Sequence, residues 1–215
     1  MKKIILATLI LFCCFAVNSW ATTFIGSISN ISPDNTMVGN NNWASNTILN
    51  WTVSFSSSTN LWTYSYTFAE GGPPELSHSI IEVSLDFTSD NIKTGTTEGY
   101  EGPREFKSDD PGASNPGLLG PIWGIKWNQG QTTWQIVTDK EPMWGDFYAK
   151  GGTSTYAYNL KFGQTTDALI QDGNVGGWVL VPDTGTGIIP EPGTFLLLGT
   201  GLLGIAAIRY RRSKK

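Results

Sequence analysis

Thr47–Phe55, TILNWTVSF, alternates without a break: Leu49, Trp51, Val53 and Phe55 fall on one face, and Asn50, Thr52 and Ser54 on the other. A period of two is the mark of a strand with one face buried and the other in water. The polar stretch Ser56–Asn60 follows, and then LWTYSYTF repeats the pattern, with Trp62, Tyr64, Tyr66 and Phe68 on one side and Thr63, Ser65 and Thr67 on the other. Two such runs joined by a short loop predict an antiparallel hairpin.

Working outward, IIEVSLDF predicts a third strand, with Ile81, Val83, Leu85 and Phe87 on one face. Further strands are expected in IWGIKW (122–127), TTWQIVT (132–138), DFYAK (146–150), TYAYNLKF (155–162) and GWVLV (177–181). No stretch between them carries helical periodicity with caps, while Pro-Gly, Gly-Gly and Asp-Gly turns recur. Short strands linked by such turns predict an all-β fold, an antiparallel β-sandwich over residues 22–182. Residues 95–120 read as a long polar excursion, and Asp183–Ile189 as a Thr/Gly linker.

Both ends depart from this pattern. Met1-Lys2-Lys3 precedes an apolar run from Ile4 to Val17, closed by Ser19-Trp20-Ala21. A basic start, a short oily core and a small-x-small site describe a signal peptide over residues 1–21, cut by signal peptidase between Ala21 and Thr22. Cys13 and Cys14 are the chain's two cysteines and lie inside that run. The mature chain then has no thiol for a nucleophile, a metal site or a disulfide.

Residues 22–189 carry seven Lys and Arg against seventeen Asp and Glu, a formal charge of −10. Such an acidic body argues against nucleic acid as a partner, because phosphate needs clustered positive charge. The last seven residues hold Arg209, Arg211, Arg212, Lys214 and Lys215. Ahead of them FLLLGTGLLGIAAI, residues 195–208, is uncharged and would span about 21 Å as a helix, against a hydrocarbon core of about 30 Å. A single C-terminal transmembrane helix is expected, short and punctuated by glycine, with its basic end held in the cytoplasm. The match of Gly199-Thr200-Gly201-Leu202-Leu203-Gly204 to a dinucleotide fingerprint lacks the strand and acidic residue that such a site needs downstream.

Pro190-Glu191-Pro192, the apolar run and Arg-Tyr-Arg-Arg together resemble a PEP-CTERM sorting signal, a C-terminal tag of exported Gram-negative proteins. The resemblance covers residues 190–215. It implies processing near the tripeptide by an exosortase, a multi-pass membrane enzyme of the cysteine transpeptidase kind. Residues 22–189 would then lie beyond the inner membrane, as the ectodomain of a transient single-pass precursor. Leu76-Ser77-His78, WGIKW, WGDFYAKGG (144–152) and AYN (157–159) are similar to phrases in other PEP-CTERM ectodomains, which implies one exported β domain and adds no catalytic role.

Candidate chemistry in the body is sparse. His78, the one histidine, lacks a second histidine or thiol to complete a transition-metal set and reads as a hydrogen-bonding residue at a strand start. Asp183-Thr184-Gly185 offers half of an aspartic protease site, which needs two carboxylates. Glu82, Asp86, Asp90, Asp109, Asp110 and Asp146 could contribute a glycosidase pair or calcium ligands, and nothing in their spacing selects either. Eight tryptophans remain after the signal peptide. Indoles stack on sugar rings when exposed and fill cores when not, so Trp43, Trp123, Trp127 and Trp144 are candidate glycan contacts.

The expectation is an exported, cofactor-free surface or matrix protein, structural or adhesive in extracellular polysaccharide or biofilm, and not an enzyme. A carbohydrate-binding module is the alternative. A polysaccharide hydrolase comes third, since it requires two carboxylates converging in a cleft.

Overall fold

A computed structural model describes residues 22–183, apart from 70–72, 112, 113, 129, 167–169 and 171–174. The signal peptide, residues 184–189 of the linker, the tripeptide, the expected membrane helix and the basic tail lie outside the described residues.

Twelve strands are described: β1 (Thr23–Ser29), β2 (Met37–Gly39), β3 (Ile48–Ser56), β4 (Leu61–Phe68), β5 (Leu76–Glu82), β6 (Tyr100–Phe106), β7 (Ile122–Asn128), β8 (Thr133–Thr138), β9 (Pro142–Gly145), β10 (Phe147–Gly151), β11 (Thr155–Asn159) and β12 (Val179–Pro182). They form a four-stranded sheet β1-β3-β4-β8, a six-stranded sheet β2-β11-β10-β5-β7-β6 and a pair β12-β9. Every pairing between named strands is antiparallel.

The expected hairpin is β3–β4, with Trp51 opposite Tyr66 and Val53 opposite Tyr64. The apolar face of the four-stranded sheet packs on the six-stranded one. Phe68 meets Phe147 edge-on at 5.9 Å, and Trp134 lies 6.0 Å from Trp127. Such aromatic pairs add to the burial of large apolar surface that drives folding. Tyr64 and Tyr66 take their hydroxyls into this core and satisfy them by donating to the carbonyls of Lys140 and Leu180, both at 2.8 Å.

The six-stranded sheet is buried on both faces. Ile81, Ile125, Trp127 and Phe147 look inward, while Ile80, Ile122 and Tyr148 build a second cluster on the outer face with Phe106, Leu118 and Phe162. The segment after β6 covers this cluster. Tyr148 Oη donates to the Pro116 carbonyl at 2.8 Å. Gly117, at φ +74°, lies against the Tyr156 ring, where a Cβ would come within 2.1 Å. Only glycine combines that backbone with that approach.

Two expectations are corrected. Residues 95–120 are no excursion: residues 92–97 line the edge of β8, Tyr100–Phe106 is strand β6, and the segment that follows covers a core. Its charges mislead because they are paired. Arg104 reaches Glu101 and Asp110 at 2.6 and 3.0 Å, and Glu101 reaches Lys126 at 2.5 Å. The third strand is shifted as well. It ends at Glu82, after which a turn closed by Phe87 N–H to the Ser84 carbonyl leaves Leu85 81% exposed. Alternation fails here because a strand covered on both sides needs apolar residues on both.

Candidate functional site

The six-stranded sheet ends in a cleft of about 330 Å³, lined by Glu82 at the end of β5, Glu105 on β6, Trp123 on β7, Met143 on β9 and Asp183 after β12. Five segments distant in sequence thus bring three carboxyl groups and one indole together.

Glu82 is strongly perturbed by its surroundings. Its Oε2 accepts the backbone N–H of Asp146 at 2.7 Å, and its own N–H donates to the Asp146 carbonyl at 3.0 Å. Burial, and then the neighbouring Asp146 charge, push its carboxyl up to about 7. Near neutral pH it is therefore divided between acid and carboxylate. Asp146 is buried in turn and also raised by burial. Its Oδ1 accepts Asn159 Nδ2 at 2.9 Å and its Oδ2 the Gly163 N–H at 2.7 Å. Asn159 Oδ1 closes the network by accepting the Phe147 N–H at 2.8 Å. Asp146 therefore ties β10, β11 and the following turn together, and Glu82 connects that knot to the cleft.

Of the four indoles that were candidates for glycan contact, three are removed by burial. Trp43 and Trp127 are 0% exposed and Trp144 is 7% exposed. Trp43 Nε1–H donates to the Pro74 carbonyl and Trp127 Nε1–H to the Thr97 carbonyl, so both rings are fastened inside. A large aromatic contributes most when its whole area leaves water, and the core takes these three. Trp123 is half-buried, lines the cleft, and its Nε1–H has no acceptor among the described residues.

His78 is buried in β5, where its Nε2 hydrogen-bonds Asn115 Oδ1 at 2.8 Å. Burial lowers it to about 4, so it stays neutral and holds the segment covering the outer core. Asp110 is bound to Arg104 and lies away from the cleft-lining set. Asp86, Asp90 and Asp109 also fall outside that set. Among the described residues no group of three His, Cys, Asp or Glu side chains is arranged to hold a metal.

Thr22, just past the expected signal-peptide bond, is the first described residue, and its carbonyl accepts the Phe55 N–H at 2.9 Å. Ala21, Pro190, Glu191, Pro192, Arg209, Arg211, Arg212, Lys214 and Lys215 fall outside the described residues. Among the described residues no helix is long and apolar enough to cross a membrane, and the expected span lies beyond them. For the tail the comparison with known families decides. Residues 189–212 match the PEP-CTERM protein-sorting motif.

The chain carries a PEP-CTERM sorting signal. The match takes in, in this order, the tripeptide, the uncharged run and the three arginines. A PEP-CTERM signal implies exosortase-dependent sorting of an exported, membrane-anchored precursor to the cell surface. No curated protein and no solved structure matches the chain.

Proposed function

We propose that the β domain of this PEP-CTERM protein is a non-catalytic structural or adhesive component of extracellular polysaccharide or biofilm, delivered there across the inner membrane of a Gram-negative cell. The observation that carries the reading is the sorting motif at the end of an acidic all-β body. The network of half-buried Glu82 with buried Asp146 and Asn159 supports a structural use of these polar groups, since they bond to each other and to backbone between β5, β10 and β11. Before processing, the uncharged run would hold the precursor in the membrane with Arg209, Arg211, Arg212, Lys214 and Lys215 in the cytoplasm. Signal peptidase and exosortase would act in turn on the two ends.

The test compares the intact mass and location of the protein in its host with those of a variant carrying alanine at Pro190, Glu191 and Pro192. The expected wild type lacks the tail and fractionates with polysaccharide, while the variant keeps the tail in the inner membrane. Retention of residues through Lys215 in both would overturn processing. A processed protein free in the medium, with no polysaccharide association, would overturn the matrix role alone.

A second reading, carbohydrate binding, is supported by one side chain. Trp123 offers part of its indole to a cleft that also holds Glu82 and Asp183, a stacking surface beside hydrogen-bond acceptors.

A further inference from the structure

Strand β1 forms one edge of the four-stranded sheet, and its backbone pattern shows which groups face outward. Thr22 accepts the Phe55 N–H, and the Asn30 N–H donates to the Thr47 carbonyl at 3.2 Å. Both contacts fall in one antiparallel register with β3, in which Phe24, Gly26 and Ile28 pair with Val53, Trp51 and Leu49. Hydrogen-bonded pairs alternate along such a ladder, so the even-numbered residues bond to β3 and the odd-numbered ones turn their N–H and C=O away. Ser29 uses its pair on Thr36, donating to Oγ1 at 2.9 Å and accepting the N–H at 2.7 Å. Among the described residues, nothing takes the outward groups of Thr23, Ile25 and Ser27.

The other edges of the four-stranded and six-stranded sheets are guarded. Beyond β8, the Lys93 and Thr97 N–H groups bond the carbonyls of Val137 and Gln135, while Thr96 and Thr97 hydroxyls accept the Val137 and Gln135 N–H groups. Strand β6 carries Glu101, Arg104 and Glu105, contains Pro103 and breaks register between Glu101 and Arg104. Strand β2 is three residues long. These are the ordinary devices that stop edges from pairing with other chains. Strand β1, TFIGSIS, has seven residues and no charge, proline or bulge, and it leaves Ile25 73% exposed.

We propose that β1 pairs antiparallel with β1 of a second copy of this chain, about a two-fold axis at Ile25, joining the two four-stranded sheets into one. In that register Ile25 faces Ile25, and Thr23 faces Ser27 of the second copy. Each pair exchanges two backbone hydrogen bonds, and the exposed isoleucines cover each other. On the inner face Phe24 of the second copy lies opposite Gly26, where the indole of Trp51 packs so closely that a Cβ would be 2.2 Å from it. That ring, almost wholly buried, lines a groove of about 340 Å³ together with Thr23, Phe24 and Ile25 of β1, Trp144 and Leu180. The complementarity of β1 to itself selects a second copy as occupant, since the two-fold sets exposed Ile25 on Ile25 and the large Phe24 against Gly26. Residues 22–189 carry −10, yet β1, β3, β4 and β8 contain no charged residue, so this seam brings two acidic bodies together without setting like charges against each other.

The test is sedimentation velocity on the exported protein isolated from its host, over a wide range of concentration, with I25K and I25C beside wild type. Ile25 is exposed, so lysine there leaves the fold intact, which matching thermal melts establish. The expected result is a concentration-dependent dimer for wild type and a monomer for I25K. Mild oxidation should link I25C into a covalent dimer, because directly opposed residues of a hydrogen-bonded pair lie about 5.5 Å apart at Cα. T52C on β3, one strand in from the seam opposite Ile25, lies three strand spacings, about 14 Å, from its twin and should stay uncrosslinked, as should wild type. A wild type that remains monomeric throughout, or an I25K protein that dimerises as wild type does, overturns the proposal.

Discussion

The backbone N–H of Asp146 donates to Glu82 Oε2 at 2.7 Å, which brings two acids 64 positions apart to one point where β5 and β10 meet. Burial and the Asp146 charge raise Glu82 from 4.5 to about 7, so the fold favours its protonated form. The stability this contributes is fully present below pH 4.5 and lost as pH rises through 7. Glu82→Gln keeps an acceptor for the Asp146 N–H and removes the titration. It should be more stable than wild type by roughly 2–4 kcal/mol at pH 8, with the gain shrinking toward zero at pH 4.5. Urea denaturation at a series of pH values measures this. A difference that does not change with pH would refute the assignment.

His78 has the opposite slope. Burial lowers it from 6.5 to about 4, and Lys126 and Lys150 push in the same direction. The fold therefore favours neutral imidazole, and the associated stability is fully present above pH 6.5 and declines as pH falls toward 4. His78→Gln still offers a donor to Asn115 and has no proton to gain. Its stability relative to wild type should rise by roughly 3 kcal/mol between pH 7 and pH 4. The imidazole C–H resonances, followed by NMR, locate the titration directly. A midpoint above 6 would contradict this reading.

Lys126 is 3% exposed, lies over the Phe106 ring at 5.2 Å and meets Glu101 at 2.5 Å. Glu101→Gln strands that ammonium in an apolar pocket. The expected loss is about 3 kcal/mol, at the low end for a buried pair because Glu101 itself is 39% exposed. Pairing it with Lys126→Met removes the stranded charge and should recover most of the loss, a non-additivity that a double-mutant cycle detects. Additive losses would mean the contact carries no coupling.

The legible parts of this protein are those whose signal is local. The β3–β4 hairpin alternates cleanly because one side of its sheet faces solvent, and the core side can be read from Leu49 to Phe68. The sorting motif is legible for a related reason: a processing enzyme reads it as linear sequence. Strand β6 was hidden because Glu101, Arg104 and Glu105 look like a solvated loop until Lys126 and Asp110 supply their partners from elsewhere. Strand β1 was hidden because Gly26 leaves its place on the inner face to the Trp51 indole. The cleft could not be foreseen at all, since Glu82, Trp123 and Asp183 converge only through the order of strands in the sheets. Tryptophan content was equally uninformative, because the same residue type fills the core at Trp43 and lines the cleft at Trp123.

Trp123 discriminates between the two readings of the domain. Its half-buried indole is the one among the four candidates that lines the cleft beside carboxyl groups, and with its Nε1–H buried it offers the cleft its ring. If a sugar stacks there, polysaccharide from the host surface should quench and shift part of the tryptophan emission of the wild-type protein. Trp123→Ala should abolish the change and weaken retention on that polysaccharide by about two- to tenfold, in line with the roughly 0.5–1.5 kcal/mol an aromatic contact contributes. Glu82→Gln should alter the binding without abolishing it, since a hydrogen-bonding group persists at that position. Should Trp123→Ala bind as tightly as wild type, the cleft is not the glycan site, and polysaccharide association would have to come from another surface of the domain.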